Sequence, residues 1–187
     1  MESDMAPWTM GKVAPPYKVS LLHNVDHAPA RLRESISGLS ESDLDAEPVP
    51  GKWSTRRVIE HVVLASLGWT DILYEAVCPY HTKIKTWQKG WSDALVTRAK
   101  SSTPDALAVI EQNHREVIAF LGRLPEESFT FEHAPVQWLV GAKIPFVIKE
   151  SVNWGLSVHV DHHLIFIHEK HVALGKPLEW MSGIRTA

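Results

Sequence analysis

The stretch that decides the fold is KWSTRRVIEHVVLASLGWTDILYEAV, residues 52–77. Ser54 is a good candidate for a helix N-cap, because a serine hydroxyl can accept a hydrogen bond from a backbone N–H of the first turn. About 22 residues free of proline follow it, with apolar residues mostly three or four apart. This apolar stripe comprises Val58, Val62, Ala65, Trp69, Ile72 and Leu73. The pattern predicts one long amphipathic helix that ends before Pro79.

Three further segments predict helices of comparable length. Residues 17–38 carry apolar side chains at spacings of one, three and four, and Pro29 is expected to kink this helix. The third helix is expected from Ser102 or Thr103 to about residue 122, because Pro104 suits its first turn. The last helix is expected over about residues 145–174, where glycine and proline follow as stop signals.

Four helices of about 20 residues, each about 30 Å long, suit a four-helix bundle. No alternating strand pattern competes with this all-α interpretation. The links over residues 79–101 and 124–144 exceed what neighbouring antiparallel helices need, which predicts long crossover connections. We expect an irregular arm over residues 1–16, the bundle over 17–174 and a carboxy-terminal extension over 175–187. Tryptophans in the two links are candidates for pocket walls: Trp87, Trp91 and Trp138.

Composition limits the classes of partner. Of the 187 residues, 44% are apolar and 22% are charged, as is typical of a soluble globular protein. The net charge of -3 argues against nucleic acid, because proteins that bind a phosphate backbone usually carry a basic stripe. No apolar run approaches the roughly 20 residues of a membrane span, and the first residues do not resemble a signal peptide. The sequence therefore predicts a cytoplasmic protein that does not contact membranes.

Histidine is the residue type that stands out. The chain contains 11 histidines, and five of them lie in SVHVDHHLIFIHEKH, residues 157–171. His159 and His163 are four residues apart, so on a helix both imidazoles can point at one ion. His61 lies in the apolar stretch VIEHVVLA of the second helix, on a face that a bundle buries. An unpaired imidazole there would need a partner.

Together, the three histidines would supply three neutral nitrogen ligands from two facing helices. Such a site leaves coordination positions open, as in catalytic rather than closed structural metal centres. The alternative without a metal is a polar helix face whose imidazoles fill gaps in a dimer interface.

The other histidines of residues 157–171 are weaker candidates for metal ligands. His162 is a candidate substitute ligand, although it points in another direction on the helix. His168 and His171 are three residues apart around Glu169, whereas the zincin protease motif needs a spacing of four. We therefore reject a protease and expect this pair on a solvated final turn, where cationic histidine favours the helix C-terminus.

Four other side chains near the predicted helices are not expected to be metal ligands. His23 and His27 form a further pair on the first helix and are expected at the surface or behind the ligands. Trp53 directly precedes the cap and is expected to pack onto the helix as a hydrophobic staple. Glu60 is adjacent to His61 and points about 100° away, so it is a poor ligand candidate.

Two motifs resemble those of a known family. GKWSTRRVIEHV, residues 51–62, looks like the second-helix motif of the DinB/YfiT-like metalloenzyme superfamily, and VHVDHHLIFI, residues 158–167, looks like its fourth-helix motif. The resemblance implies a DinB-like four-helix bundle, a homodimer, and metal ligation by His61, His159 and His163.

This chain also departs from the family pattern at two places. Arg56 and Arg57 stand where many relatives have glutamate, so only the serine half of a capping box remains. Apolar residues follow the fourth-helix histidines where glutamine is frequent, which predicts a more apolar pocket floor.

An ion held by three uncharged imidazoles keeps its full charge and acts as a strong Lewis acid, which lowers the pKa of bound water or binds a thiol as thiolate. Zinc, nickel and ferrous iron suit this ligand set, whereas calcium and magnesium prefer oxygen. Characterised relatives include S-transferases that use a low-molecular-weight thiol and a mycothiol-dependent maleylpyruvate isomerase. The leading hypothesis is a metal-dependent enzyme that performs thiol transfer or a related addition on a small molecule. Metal-assisted hydrolysis is second, and the non-enzymatic alternative is a stress-related bundle that binds a metal or small ligand.

Overall fold

The computed structural model describes residues 12–78, 102–137 and 143–182. Its helices are α1 (Tyr17–Glu34), α2 (Glu41–Asp45), α3 (Thr55–Val77), α4 (Thr103–Gly122), α5 (Ile148–Asn153) and α6 (His159–Ala173). A π-helical turn, Trp154–Val158, joins α5 to α6 so that they form one continuous helix. Two strands precede it, β1 (Glu132–Gln137) and β2 (Lys143–Val147), and 3-10 turns lie at Glu126–Phe129 and Glu179–Met181. The predicted pocket walls Trp87, Trp91 and Trp138 lie outside the described residues.

Serine caps explain where two of the long helices begin. The Ser54 hydroxyl accepts a hydrogen bond from the Arg57 N–H at 3.3 Å, which satisfies a donor that the helix itself cannot pair. Ser102 caps α4 in the same way, with its hydroxyl 3.2 Å from the Asp105 N–H. Pro104 lies in the first turn of α4, where no backbone donor is needed. The predicted starts of both helices agree with these caps.

The long helices pack as a bundle. α1 contacts α4 and the continuous α5–α6 helix, and α3 contacts the same two neighbours. Fully buried apolar side chains line the contacts, and burying each one typically contributes about 1.5–3 kcal/mol. They include Leu21, Val25, Leu32, Val62, Leu73, Ile110, Val117, Leu121, Val160 and Leu164. The predicted four-helix bundle is confirmed.

A β-hairpin corrects the prediction for the start of the last helix. Residues 145–147 belong to β2 rather than to a helix, which begins only at Ile148. β1 pairs with β2 in antiparallel fashion, and the register shifts between His133 and Val136. Both strands are short and contain a proline, a residue that sheets tolerate only at edges and irregularities, so no alternating pattern is visible in the sequence.

The segment after α1 also differs from the prediction. The first helix ends at Glu34 rather than near residue 38, and Gly38 then adopts a positive φ of 79°. The short helix α2 follows it at Glu41–Asp45. Its start has a capping box, in which the Ser40 and Asp43 side chains each bond the other residue's backbone N–H.

A close approach between helices marks the π turn. A Cβ added at Gly155 would lie 2.1 Å from Cδ2 of the Trp69 indole, far inside contact distance. Only glycine lets the last helix come this near to α3. The π turn contains one more residue than an α turn would, and α6 starts directly after it with His159.

Residues after α6 fold back on the bundle. Met181 is fully buried, and Leu178 and Trp180 pack against the core formed by α1, α3, α4 and α6. The division into arm, bundle and extension stays a prediction. No helix in the described part of the chain is long and apolar enough to cross a membrane.

Candidate metal centre

Two facing helices bring three histidines together. His61 lies in the second turn of α3, His159 is the first residue of α6, and His163 follows one turn later. One ring nitrogen from each lies within 4.8 Å of the other two. The ring centroids are 5.3 Å apart for His61 and His159, 4.7 Å for His61 and His163, and 4.6 Å for His159 and His163. The structure therefore gathers the three imidazoles that the sequence selects, and their ligation of a metal stays a prediction.

The distances suit a small divalent ion. The Nε2 atoms of His159 and His163 lie 3.2 Å apart. Two imidazole nitrogens bound tetrahedrally at about 2.0–2.1 Å would be separated by about 3.3 Å, so little movement is required. In the described part of the chain, no side chain other than histidine hydrogen-bonds these rings. The Nδ1 atoms of His159 and His163 are buried and have no hydrogen-bond partner among the described residues.

Burial keeps the three imidazoles uncharged at neutral pH. Desolvation lowers the pKa of His159 to about 4, and the nearby His61 and His162 contribute to the shift. The pKa of His163 falls to about 3, mainly through burial and then through its histidine neighbours. Burial also lowers the pKa of His61. Neutral imidazole is the form that binds metal ions, so the site needs no deprotonation before binding.

Trp53 lines two cavities next to the histidine cluster. One, of about 450 Å³, is lined by Gly51, Lys52, Trp53, Val58, His162, His163, Phe166 and Lys170. The other, of about 470 Å³, is lined by Trp53, Ser54, Arg56, Arg57, Glu60, His61 and Leu64. Within the described ranges, Glu60 is the only acidic side chain that lines either cavity, although it does not belong to the cluster of candidate ligands.

Trp53 forms a wall of the site as well as packing on α3. Its ring lies edge-on to the His61 ring, with centroids 5.4 Å apart, and 41% of the residue remains exposed. The Arg57 guanidinium lies 4.9 Å from the centroid of the Trp53 ring, within range of a cation–π interaction. Trp53 therefore lines the site in addition to packing on α3 as the hydrophobic staple predicted from the sequence.

A buried ion pair fixes the orientation of α6. Asp161 lies between His159 and His163 in sequence, is 1% exposed, and faces α1. Its Oδ1 accepts from Arg31 Nε at 2.7 Å, and its Oδ2 accepts from Arg31 Nη2 at 3.0 Å. This two-point contact opposes rotation of α6 about its axis. Sequence reasoning missed it, although an acidic residue inside VHVDHHLIFI was a visible signal.

The other histidines that the structure describes do not belong to the cluster. His162 is exposed, and its ring packs against Phe166 with centroids 5.2 Å apart. His23 and His27 are exposed on α1, as expected, and the His27 Nδ1 lies 2.8 Å from the His23 carbonyl oxygen.

The prediction of a solvated final turn is wrong for His171. This residue is 0% exposed, with Nε2 2.7 Å from the Ser35 carbonyl oxygen and Nδ1 2.7 Å from that of Lys176. The loops after α1 and α6 fold over the last turn of α6, and they supply both carbonyl groups. His168 is half-buried rather than solvated.

The match to a family model places this fold among known proteins. The model of the DinB superfamily matches residues 24–167. This chain belongs to the DinB superfamily. It is 24% identical over 163 residues to a Bacillus subtilis (strain 168) protein named "Putative metal-dependent hydrolase YfiT", covering 81% of this chain and 82% of that protein.

A solved structure of YfiT from Bacillus subtilis has the same fold. The two superpose with a TM-score of 0.69 at 19% identity, covering 88% of this chain and 91% of YfiT. That protein is described as "a probable metal-dependent hydrolase with an unusual four-helix bundle topology". The DinB/YfiT-like resemblance expected from the two sequence motifs is confirmed.

Proposed function

We propose that this protein is a metal-dependent enzyme in which His61, His159 and His163 hold a borderline divalent ion, namely zinc, nickel or ferrous iron. The observation that carries the proposal is the cluster itself: three neutral, largely buried imidazoles whose ring nitrogens lie within 4.8 Å of one another. Three neutral ligands leave room for water or substrate at the ion, as in catalytic zinc sites. When bound, the ion would supply Lewis acidity that activates water or a thiol.

Metal-assisted hydrolysis is the first reaction class to test. The name of the similar Bacillus subtilis protein supports it. Glu60 also lines the cavity beside His61 and is a candidate to accept a proton from a nucleophile there. Trp53 and Phe166 line the cavity beside His163 and give it aromatic walls. Thiol transfer, with a low-molecular-weight thiol as cofactor, is the alternative that the sequence motifs imply.

Metal content of variants tests the ligand set. The untagged protein is expected to purify with about one equivalent of a divalent ion, measured by mass spectrometry of the elements. His61→Ala should lose most of it, because two remaining imidazoles hold a borderline ion much more weakly. His162→Ala is the matched control, since this exposed neighbour of His163 should leave the stoichiometry unchanged. A His61→Ala protein that keeps a full equivalent would refute the assignment.

Turnover separates an enzyme from a binding protein. The metal-loaded protein is offered a panel of aryl esters and amides, and separately the electrophile monochlorobimane with several low-molecular-weight thiols. Turnover above that of the metal-free protein, abolished by His61→Ala, is the expected result. Activity on the esters or amides would identify a hydrolase, and thiol-dependent activity a transferase. No turnover in any assay would favour the non-enzymatic, metal-binding alternative.

The proposal also includes a small-molecule substrate, a homodimer and a cytoplasmic location. The homodimer rests on the sequence motifs alone. Light scattering coupled to gel filtration tests it, and a mass near 21.0 kDa would indicate a monomer instead.

A further inference from the structure

The cavity beside His163 has the size of a small-molecule site. Its volume of about 450 Å³ falls within the roughly 300–1,000 Å³ that such sites usually have. His163, Phe166 and Lys170 line it from α6 at spacings of three and four, so they form one stripe along the helix. Trp53 borders it from the start of α3. A candidate metal ligand therefore lies at one end of this stripe, and a lysine lies at the other.

The charge in this cavity is positive. Among the residues that the structure describes, its lining includes two lysines and no acidic side chain. Lys52 is about half exposed, and its Nζ already bonds both carboxylate oxygens of Glu169, at 2.7 and 2.9 Å. A divalent ion on three neutral imidazoles would add to this positive potential. An anion would find a favourable field here, whereas a cation would be repelled.

Lys170 is the group whose presence needs an explanation. It is 1% exposed, and its Nζ donates to the Phe166 carbonyl at 2.9 Å. An ammonium has three N–H donors, and no salt bridge reaches Lys170 from any residue in the described ranges. Glu169, its neighbour in sequence, is engaged by Lys52. Burying an ammonium without a carboxylate is costly, which suggests that an anionic partner completes the site.

The walls favour a flat, apolar body for that anion. Trp53 and Phe166 both line the cavity, and the Phe166 ring lies 5.5 Å from the His163 ring, centroid to centroid. His163 and Lys170 are two turns apart, about 10 Å along the helix, and the Lys170 amine reaches back one turn to Phe166. The amine therefore lies about one helical turn from His163 along the helix axis, a separation that a single ring can bridge.

We propose that this cavity binds aromatic carboxylates, with Lys170 pairing with the carboxylate and Trp53 and Phe166 packing against the ring. The inference rests on the proposed function, since it names the substrate class of the same site. Lys170 acts as a binding and positioning residue: it holds the substrate so that the opposite end of the ring faces His163.

Calorimetric titration of the full chain with benzoate, phenylacetate and their neutral amides tests the proposal. Both carboxylates are expected to bind at least about 10-fold more tightly than their amides, the range for a hydrogen bond to a charged group. Lys170→Met should weaken carboxylate binding by about 10-fold or more and leave amide binding nearly unchanged. Lys176→Met is the matched control, because Lys176 does not line this cavity and pairs with Asp43, and it should change neither by more than about 3-fold. Lys170→Arg keeps the charge and should retain the preference.

Three results would each overturn the proposal. The carboxylates and amides could bind equally well, or neither carboxylate could bind. The third is a folded Lys170→Met protein that binds carboxylates as tightly as the unaltered protein does. The comparison of carboxylate with amide on the unaltered protein needs no variant, so it decides even if Lys170→Met does not fold. Each titration is run with metal-free and zinc-loaded protein. Carboxylate binding that depends on Lys170 in a protein that takes up none of zinc, nickel and ferrous iron would support the anion site while refuting the metal-dependent function. Zinc uptake without a carboxylate preference would refute the anion site alone.

Discussion

Replacing Asp161 with asparagine should both destabilise the protein and weaken its metal site. Asparagine has nearly the same shape as aspartate, so the change removes the charge without opening a cavity. The Arg31 guanidinium then faces a neutral amide in a site where the Asp161 side chain is 2% exposed and the Arg31 side chain 17%. Because α6 loses the contact that opposes its rotation, His159 and His163 should be held less firmly.

The size of the effect follows from burial. Removing one partner of a buried ion pair typically costs about 3–5 kcal/mol. The amide oxygen still accepts one hydrogen bond and water reaches part of Arg31, so a loss of about 2–3 kcal/mol is expected for Asp161→Asn. For a chain of this length, this corresponds to a decrease in Tm of about 4–12 °C. Weakened orientation of two ligands should lower metal affinity by about 10-fold.

Urea denaturation of the metal-free protein at pH 7 measures the stability, and competition with a chromogenic chelator measures the affinity. A double-mutant cycle with Arg31→Met should give a coupling energy above about 1 kcal/mol. Glu111→Gln is the control, because it breaks a more exposed ion pair between Glu111 and Arg33 and should cost less than about 1 kcal/mol. If Asp161→Asn were no more destabilising than this control and bound metal normally, the assigned role of the ion pair would be wrong.

Three further predictions follow from buried features. Gly155→Ala should destabilise the protein by about 3 kcal/mol or more in urea denaturation, because the new Cβ would overlap the Trp69 indole. Gly122→Ala is the control. Its free energy of unfolding should be within about 1 kcal/mol of the parent, because the new Cβ meets no neighbouring atom within 4 Å. Burial lowers the pKa of His114 to about 4, so the unfolded chain binds an extra proton between about pH 4 and 6.5. The unfolding free energy should therefore fall by about 3 kcal/mol from this residue as the pH drops through that window, and His114→Asn should remove that part of the pH dependence. Burial lowers the pKa of all three candidate ligands, to about 4 for His159 and about 3 for His163, so zinc binding should persist to a lower pH than the usual pKa of histidine would allow; a decline starting at pH 6.5 in competition titrations would contradict this.

Local signals made much of the bundle predictable. The Ser54 cap and the long segment free of proline define α3, and Ser102 with Pro104 defines the start of α4. The β-hairpin left no such signal, because prolines interrupt both short strands and their pairing links residues up to 15 apart. The π turn was also hidden, since it depends on the approach of the glycine at position 155 to an indole on another helix.

In the candidate site too, features that depend on nearby residues in the sequence could be predicted, and contacts between distant residues could not. The spacing of His159 and His163 is local, and His61 stood out as a polar residue in an apolar stretch. Lys170 continues the stripe of His159, His163 and Phe166 and could have been found from spacing alone. Pairing between residues far apart in sequence could not be read this way. The partner of Asp161 is 130 residues away, and a carbonyl that holds His171 is 136 residues away.

An anomalous difference map, recorded at the absorption edge of the ion that the untagged protein carries, tests the central claim most directly. The expected result is one strong peak about 2.0–2.1 Å from a ring nitrogen of each of His61, His159 and His163. No peak among these rings, in crystals whose protein contains the ion, would contradict the assignment.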